Sequence, residues 1–218
     1  MEDLQQFFLT TYRVLLNYYG HQKWWPAETG FEVVVGAILT QNTSWSNVER
    51  AIINLKSTTA LTPKSIFEIE HEKLKESIRP AGFFNQKADR LKGISKFILD
   101  ELGGDIKNLS KLDLEVARNN LLSIKGVGDE TADSILLYAV EMPSFVIDKY
   151  TIRMFGRVGV KGVKGYQSWR RLFMDNLPVD IGIYKEYHAL IVEHSKNFCR
   201  SKPLCEDCPM ENYCKKLF

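Results

Sequence analysis

Apolar residues recur at three- and four-residue steps through most of this chain of 218 residues, and that period constrains its fold class more than any other feature. The first example, Leu4, Phe7, Phe8 and Tyr12, marks one face of an amphipathic helix that Gly20 is placed to end. No stretch alternates convincingly between apolar and polar residues, so we expect no β-sheet. The sequence therefore predicts an all-α protein.

The same spacing predicts further helices between turn-forming residues. Phe31–Leu39 is apolar enough for a strand, but its polar continuation favours two helices joined by a short turn. Thr62-Pro63 is a typical helix start, and Pro80-Ala81-Gly82 breaks the chain before another helix, which Gly103-Gly104 ends. The remaining predicted helices cover residues 112–124, 131–140, 150–158, 169–177 and 184–198.

We predict two helical domains that are not sequential along the chain. Residues 22–147 form the first, with a helix-hairpin-helix at about residues 116–140. Residues 1–21 return to pack with residues 148–218, so that the N-terminal helix and the C-terminal block form the second domain. A loop with four cysteines, residues 199–214, belongs to this second domain.

Net charge and hydropathy exclude few classes of binding partner. The formal net charge is +2, so any basic surface must come from local clustering. No apolar run is long enough to cross a bilayer, and the first residues lack the pattern of a signal peptide. We expect a monomer in the cytoplasm, without a membrane partner.

A tight turn between two helical segments carries the strongest local signal. In Ile124-Lys125-Gly126-Val127-Gly128, both glycines permit left-handed backbone angles and close approach of another backbone. The Val127 side chain can anchor the turn by packing into the core, while free amides of the turn and of the next helix point outward. This geometry predicts a phosphate site, and the alternative is a helix-helix turn without a ligand.

One carboxylate, Asp148, follows the apolar pair Val146-Ile147 and immediately precedes a predicted helix. An aspartate there is ordinarily an N-cap, which contributes about 1 kcal/mol. Because Asp148 comes about twenty residues after the glycine turn, it can also face a nucleotide that the turn holds. Catalysis is therefore the functional interpretation of this residue.

All four cysteines lie near the end of the chain with spacing C-x5-C-x2-C-x5-C, at Cys199, Cys205, Cys208 and Cys214. Cytoplasmic thiols stay reduced, so the cluster predicts a metal centre before it predicts disulfides. Four thiolates suit structural zinc, and they equally suit an iron–sulfur cluster.

Together these segments resemble the endonuclease III superfamily of DNA glycosylases. Ile124–Asp133 followed by Val146-Ile147-Asp148 is similar to its helix-hairpin-helix signature, and the likeness covers nearly the whole chain. Leu39–Thr43 looks like the segment with a residue that fills the gap left by an extruded base. Gly82–Ala88 looks like the start of the long middle helix. The resemblance implies double-stranded DNA with a damaged base as partner, and Asp148 as the essential catalytic residue.

The resemblance also implies the cofactor and the DNA contacts. The superfamily carries a [4Fe–4S] cluster at the matching cysteines, usually with six residues in the first gap where this chain has five, so we expect that cluster, with zinc as the alternative. Expected DNA contacts are Gln41, Asn42, Lys125, Gly126, Val127, Gly128, Lys149 and Lys202. A wider phosphate-facing stripe would comprise Lys149, Arg153, Arg157, Lys161, Lys164, Lys196, Arg200, Lys202, Lys215 and Lys216.

Bifunctional members of the superfamily carry a nucleophilic lysine two residues after the second glycine, where this chain has Glu130. A carboxylate cannot form a Schiff base, so we expect hydrolysis by water, without lyase activity. Together with Glu130, the segments Trp24-Trp25-Pro26, Gln41–Thr43 and Arg79–Phe83 look most like the bacterial 3-methyladenine DNA glycosylases of the third type.

An alkylated purine is a positively charged leaving group, and a carboxylate such as Asp148 can stabilise the developing oxocarbenium charge. Electron-rich rings attract such a cation by roughly 0.5–2 kcal/mol. We therefore expect a base pocket lined by Trp24, Trp25, Pro26, Trp45 and Glu130. The alternative is that the tryptophans simply pack the core.

The leading hypothesis is thus a monofunctional glycosylase for alkylated purines in base excision repair. A second is an endonuclease III-like glycosylase for oxidised pyrimidines or for mismatched thymine or uracil. A third, of another class, is a DNA-binding or damage-sensing module without catalysis.

Overall fold

The computed structural model describes residues 4–217, and within that range all regular structure is helical, with no strand. The prediction of an all-α protein is confirmed. The α-helices are α1 Leu4–Tyr19, α2 Gly30–Leu39, α3 Trp45–Thr58, α4 Pro63–Glu68, α5 His71–Ser77, α6 Phe84–Leu102, α7 Leu114–Leu122, α8 Asp129–Ser134, α9 Lys149–Val158, α10 Tyr166–Asn176 and α11 Ile181–Asn197. Arg79–Ala81 and Ile106–Lys111 form 3-10 turns, and α8 continues into a π-helical segment, Ile135–Val140.

Backbone contacts divide the chain into two compact units. Trp25–Met142 forms the first, called the hairpin unit below. Met1–Trp24 and Pro143–Phe218 form the second, called the Asp148 unit. The boundaries predicted from the sequence, 22 and 147, lie a few residues from these.

Helix boundaries follow the capping signals of the sequence. Thr29 begins α2 by accepting a hydrogen bond from the amide of Glu32 at 3.1 Å, which satisfies one donor that the helix itself leaves unpaired. Thr62 caps α4 in the same way, with Pro63 in the first turn. Gly20, with φ +67°, follows the last residue of α1, where a left-handed backbone angle suits glycine.

The core of the hairpin unit is built around α2. Every residue from Phe31 to Leu39 is buried, and all but Glu32 are apolar, as expected of a central helix. It packs against α3, α6 and the π-helical segment. Gly36 lets the Trp25 ring approach, because a Cβ at that position would lie 3.2 Å from two ring atoms. The predicted pair of helices is confirmed.

The core of the Asp148 unit is aromatic. The Phe8 ring stacks on Phe155 with centroids 5.2 Å apart and meets Phe173 edge-on at 4.7 Å. The Tyr187 hydroxyl donates to the carbonyl of Phe8 at 2.8 Å, which gives a buried phenol its partner. These contacts attach the N-terminal helix α1 to α9, α10 and α11.

Two local features differ from expectation. Helix α5 was not predicted, since seven residues provide too few turns for a clear apolar period. The second hairpin helix is α-helical only to Ser134 and then widens to π geometry, although every residue of Ile135–Val140 is buried. A π-helical segment is rare in proteins, and it is often found near functional sites.

Candidate functional site

The hairpin turn joins α7 to α8. Gly126 has φ +88°, whereas Gly128 has φ −99° and ψ 179°, so only the first glycine uses the left-handed region that both glycines permit. Val127 is buried, as predicted, but its amide donates to the carbonyl of Ile124 at 3.0 Å. The expectation that the turn's own amides point outward is therefore wrong for Val127. The first amides of α8 remain the donors that its helical hydrogen bonds do not use.

A buried ion network holds the two hairpin helices together. Arg118 of α7, 3% exposed, binds both carboxylate oxygens of the fully buried Asp133 at 2.9 and 3.0 Å, and also Asp129 at 2.6 Å. Burial lowers the pKa of the guanidinium, but the two carboxylates raise it by more than burial lowers it. The pKa of Arg118 therefore lies above its ordinary value. Because the fork geometry matches a carboxylate, the network fixes the angle between α7 and α8.

Gln41, an expected DNA contact, contacts the hairpin in this structure. Its Nε2 atom donates to the carbonyl of Gly126 at 3.2 Å and to the Thr131 hydroxyl at 2.9 Å. Arg90 donates to its Oε1 atom and lies directly over Gly126, where a Cβ would be 2.4 Å from the Arg90 Nε. Asn42 beside it is exposed, with φ +55°. Gln41 is therefore held by three partners rather than free in solvent.

Lys87 is a buried residue that received no role from the sequence. Its ammonium, on α6, donates at 2.8 Å to the carbonyl of Leu39 and at 2.8 Å to the carbonyl of Ala81, and the residue is 1% exposed. Burial, and then the charge of Arg90, lowers its pKa to about 8. A signal was present, since Lys87 occupies the same helical face as the buried Leu91.

Two of the three predicted pocket tryptophans lie together in the hairpin unit. The Trp25 ring meets Trp45 edge-on at 5.3 Å and Tyr138 at 5.1 Å, and both indoles are half-buried. Pro26 is exposed, as is Glu130 in the first turn of α8. Trp24 belongs to the Asp148 unit instead. The hairpin unit thus presents a partly accessible aromatic cluster, with Tyr138 as a member that sequence reasoning missed.

Asp148 is the N-cap of α9. Its Oδ1 atom accepts the Thr151 amide at 2.7 Å and the Thr151 hydroxyl at 2.9 Å, and the residue is 7% exposed. Its Oδ2 atom lies 3.6 Å from Nε2 of His188. Burial raises the pKa of this carboxyl, but His188 and Thr151 together outweigh burial and hold the pKa below its ordinary value of 3.8. The buried carboxylate therefore stays ionised at neutral pH.

Trp24 and His188 form a stacked pair beside this carboxylate. Their ring centroids are 5.5 Å apart, with planes 25° from parallel, and the ammonium of Lys196 lies 5.6 Å from the Trp24 ring. His188, which comes from α11, is buried. It had no role in the sequence analysis because no local pattern connects a residue of α11 with the N-cap of α9.

Five of the predicted basic residues have one of two different surroundings. Lys125, Lys149 and Lys202 are exposed and available to a polyanion. Arg153 and Arg157 instead support the cysteine loop, the first by donating to the carbonyl of Cys199 at 2.7 Å and the second to that of Ser201 at 3.0 Å. These two guanidiniums stabilise the loop rather than form part of an open stripe.

The four cysteines are half-buried free thiols. Burial and the charges of the other three cysteines raise the pKa of Cys208, and burial together with the charges of Cys199 and Cys205 raises the pKa of Cys214. Arg157 lies 3.4 Å from the sulfur of Cys199, and the amide of Lys216 lies 3.4 Å from that of Cys214. Within residues 4–217, no group of three or more His, Cys, Asp or Glu side chains is placed to hold a metal ion.

His194 also lines the cysteine loop. Its Nε2 atom is 3.8 Å from the sulfur of Cys208, and its Nδ1 atom is 3.2 Å from the hydroxyl of Tyr19. Burial lowers the pKa of His194 to about 4, so the imidazole is neutral near pH 7. The Phe198 ring stacks on it at 5.7 Å.

A capped carboxylate after a helix-hairpin-helix, in an all-helical chain, defines a class of repair protein. Residues 35–179 match the HhH-GPD superfamily of base excision DNA repair proteins, and the chain belongs to this family. It is a DNA glycosylase of base excision repair, as the resemblance predicted. Helices long and apolar enough to span a membrane are absent from the part of the chain that the structure describes.

Individual proteins and solved structures are similar to this chain over most of its length. A Methanocaldococcus jannaschii protein, provisionally named a DNA repair glycosylase, is 58% identical over 206 residues, which are 93% of each chain. The solved structure of H. pylori 3-methyladenine DNA glycosylase (MagIII) bound to 1,N6-ethenoadenine is 31% identical, has a TM-score of 0.76, and covers 89% of this chain and 97% of its own. A non-covalent endonuclease III–DNA complex shares the fold, with a TM-score of 0.82 at 19% identity, over 99% of this chain and 97% of its own.

Proposed function

We propose that this chain is a monofunctional DNA N-glycosylase that hydrolyses the glycosidic bond of flipped-out alkylated purines such as 3-methyladenine. The observation that carries the proposal is the Asp148 carboxylate, which is buried and nevertheless held in its charged form by Thr151 and His188. The 31% identical H. pylori 3-methyladenine glycosylase supports the substrate class.

Asp148 supplies the negative charge that the reaction needs. As the bond to the base breaks, positive charge develops on the sugar, and a fixed carboxylate stabilises it without reorganising. Its Oδ1 atom is committed to Thr151, so Oδ2 is the oxygen that can orient the attacking water. Bond cleavage then leaves the base with the bonding electron pair, and water adds to the sugar while releasing one proton.

The aromatic cluster of Trp25, Trp45 and Tyr138 suits a cationic base. An N-alkylated adenine carries a positive charge that a neutral base lacks, and the negative face of an indole attracts it. Because the cationic base is already a good leaving group, this chemistry requires no general acid. The half-buried indoles retain surface for such a contact.

Hydrolysis by water follows from the residue at position 130. Glu130 stands in the first turn of α8, where a lysine nucleophile would be required for a covalent sugar intermediate. We therefore propose that Lys125, Gly126, Val127 and Gly128 hold the DNA backbone only, through exposed charge and the positive end of the helix dipole at the start of α8. Gln41, Asn42, Lys149 and Lys202 complete the proposed DNA contacts, Gln41 after leaving its hairpin partners.

We further propose that the cysteine loop holds a [4Fe–4S] cluster. Structural zinc needs four thiolates converging at about 2.3 Å on one ion. A four-iron cluster instead accepts each thiolate at a different iron, and the loop offers four half-buried free thiols. Cys199, Cys205, Cys208 and Cys214 would be the ligands. The cluster's role is structural, since base hydrolysis transfers no electrons.

The test is a release assay with methylated and oxidised DNA side by side. Wild type should release 3-methyladenine from methylated DNA, and Asp148→Asn should lower the rate by about 100- to 1000-fold, as expected for one charge-stabilising group. Asp148→Asn should still bind the DNA. Its asparagine can cap α9, so the fold is retained. Borohydride should trap no covalent adduct.

Other outcomes identify the competing functions. Release of oxidised pyrimidines, or of uracil or thymine opposite guanine, with 3-methyladenine left untouched, overturns the alkylated-purine proposal. Binding without release on any lesion favours a damage-sensing module. For the loop, stoichiometric iron and sulfide with visible absorption supports the cluster, whereas a colourless, active protein with one zinc overturns it.

A further inference from the structure

The two oxygens of Asp148 have different surroundings. Oδ1 accepts two hydrogen bonds from Thr151, at 2.7 and 2.9 Å, and these are the contacts of an N-cap. Oδ2 faces Nε2 of His188 at 3.6 Å. An ordinary hydrogen bond of this kind is shorter, roughly 2.7–3.2 Å. The contact is therefore longer than a direct hydrogen bond, while the imidazole still restricts where the oxygen lies.

We propose that His188 is a positioning residue for glycosidic-bond hydrolysis, in which its Nε2 group orients Oδ2 of Asp148 and Trp24 holds the imidazole in place. The inference rests on the proposed function, because it assigns a task only if Asp148 acts on the sugar. It adds a residue of α11 beside Asp148, the one catalytic residue that the sequence predicts, which stands at the start of α9.

The packing around His188 fixes the direction of its ring. The residue is 5% exposed, and the Trp24 indole stacks on the imidazole with planes 25° from parallel. The ammonium of Lys196, two turns further along α11, lies 5.6 Å from the same indole. The electron-rich face of the indole attracts this cation, which helps to hold the Trp24 ring in place. Trp24 therefore has a second interpretation, as support for His188 rather than as a wall of the base pocket.

A buried carboxylate needs such a partner. Burial alone favours the protonated form, which would neither stabilise a cation nor accept a proton from water. Thr151 binds the oxygen that caps the helix, so its effect on the reacting oxygen is indirect. His188 is the group on the Oδ2 side, and it counteracts burial there.

Three substitutions separate orientation from packing. His188→Gln keeps an N–H donor without the ring, His188→Met has nearly the same volume as Gln without a donor, and His188→Phe keeps a ring for Trp24 without a donor. Release of 3-methyladenine from methylated DNA is measured under single-turnover conditions, together with the DNA dissociation constant and thermal unfolding of each variant.

We expect His188→Met and His188→Phe to slow release by roughly 10- to 100-fold, the usual effect of losing a group that orients a functional side chain. The DNA dissociation constant should stay within about twofold, and Gln should restore most of the rate. Equal rate losses in all three variants would show that an N–H donor at this position does not restore the rate. Wild-type rates in His188→Met and His188→Phe would show that the donor is not needed. Either result overturns the inference. A change confined to DNA affinity overturns it as well.

If His188→Phe fails to fold, the Gln and Met pair still makes the comparison, since those side chains differ mainly in the amide. Asp148→Asn distinguishes the two levels of the argument. An active Asp148→Asn protein would refute the proposed function. An inactive one, combined with a fully active His188→Met protein, would refute the role of His188 alone.

Discussion

The hairpin and the Asp148 site are rigid for different physical reasons. The hairpin depends on charged and polar side chains from separate helices, with Arg118 joining α7 to α8 and Arg90 joining α6 to the turn through Gln41. Asp148 is held at the first turn of one helix, by Thr151, with one imidazole alongside.

This difference teaches which properties can be changed separately. Loss of a hairpin contact leaves a buried charge without its partner, so stability and DNA binding should fall together. A change at Asp148 alters the reacting charge while the helix cap survives, so the rate should fall with little loss of stability. The predictions below test that separation.

The largest effect is expected from Arg118→Met. The substitution leaves the fully buried Asp133 without its bidentate partner, and breaking such a pair costs about 3–5 kcal/mol. We expect a large drop in thermal unfolding temperature and loss of DNA binding. Lys125→Ala is the control: Lys125 is exposed, so stability should hold while DNA binding weakens. An Arg118→Met protein with wild-type stability would show that the network does not hold the hairpin.

A smaller effect is expected from Gly126→Ala. At φ +88°, alanine is strained by about 1–3 kcal/mol, and its Cβ would displace Arg90 from above the turn. Gly128→Ala is the matched control, since that residue has φ −99° and no atom within 4 Å of the added Cβ.

The two alanine variants should differ in kind. Gly126→Ala should lose both stability and DNA affinity. Gly128→Ala should lose affinity with nearly unchanged stability, because the open space beside it is where a phosphate would approach. Denaturant unfolding and DNA titration measure the two effects. Full affinity in Gly128→Ala would exclude close backbone approach at that glycine.

The predictable parts of this molecule depend on neighbours within a few residues. The helix periods, the Thr29 and Asp148 caps and the buried Val127 all follow from spacings of at most one or two turns. The role of Glu130 as a replaced nucleophile needed the family resemblance, and it stays a prediction. The same holds for the pocket and DNA contacts.

Pairs distant in sequence escaped prediction. His188 reaches Asp148 from another helix, and Arg118 reaches Asp133 across the turn. Both glycines of the G-x-G turn permit left-handed backbone angles, but Gly128 is the N-cap of α8 and has extended backbone instead. Such contacts depend on how helices pack, which single-sequence periodicity does not specify.

Lys87→Met tests how a buried charge in the hairpin unit makes stability depend on pH. With a pKa lowered from 10.5 to about 8, folded Lys87 releases its proton before the unfolded chain does. The unfolded chain therefore binds more protons between these values, so the Lys87 contribution to stability rises with pH across this window and is lost as pH falls towards 8.

The expected result for Lys87→Met is a change in slope. Wild-type stability relative to the variant should increase from pH 8 to pH 10.5, measured by urea unfolding below, within and above that window. The subtraction removes the tyrosines, which titrate in the same range in both proteins. A constant difference would mean that the buried ammonium keeps its proton throughout.

The smallest effect is expected from Thr151→Val, which removes the hydroxyl that donates to Oδ1 of Asp148 while the backbone amide remains. We expect a stability loss of about 0.5–1.5 kcal/mol, the usual net value of one hydrogen bond. Because Thr151 helps to hold the pKa of Asp148 below 3.8, that pKa should rise, and the acid limb of the release rate should move to higher pH. The rate near pH 7 should barely change, since Asp148 stays ionised there.

Thr151→Ser keeps the hydroxyl and should retain the wild-type profile. If Thr151→Val also retained it, the ionised state of Asp148 would depend on His188 rather than on the cap, and the two contacts would no longer share that task.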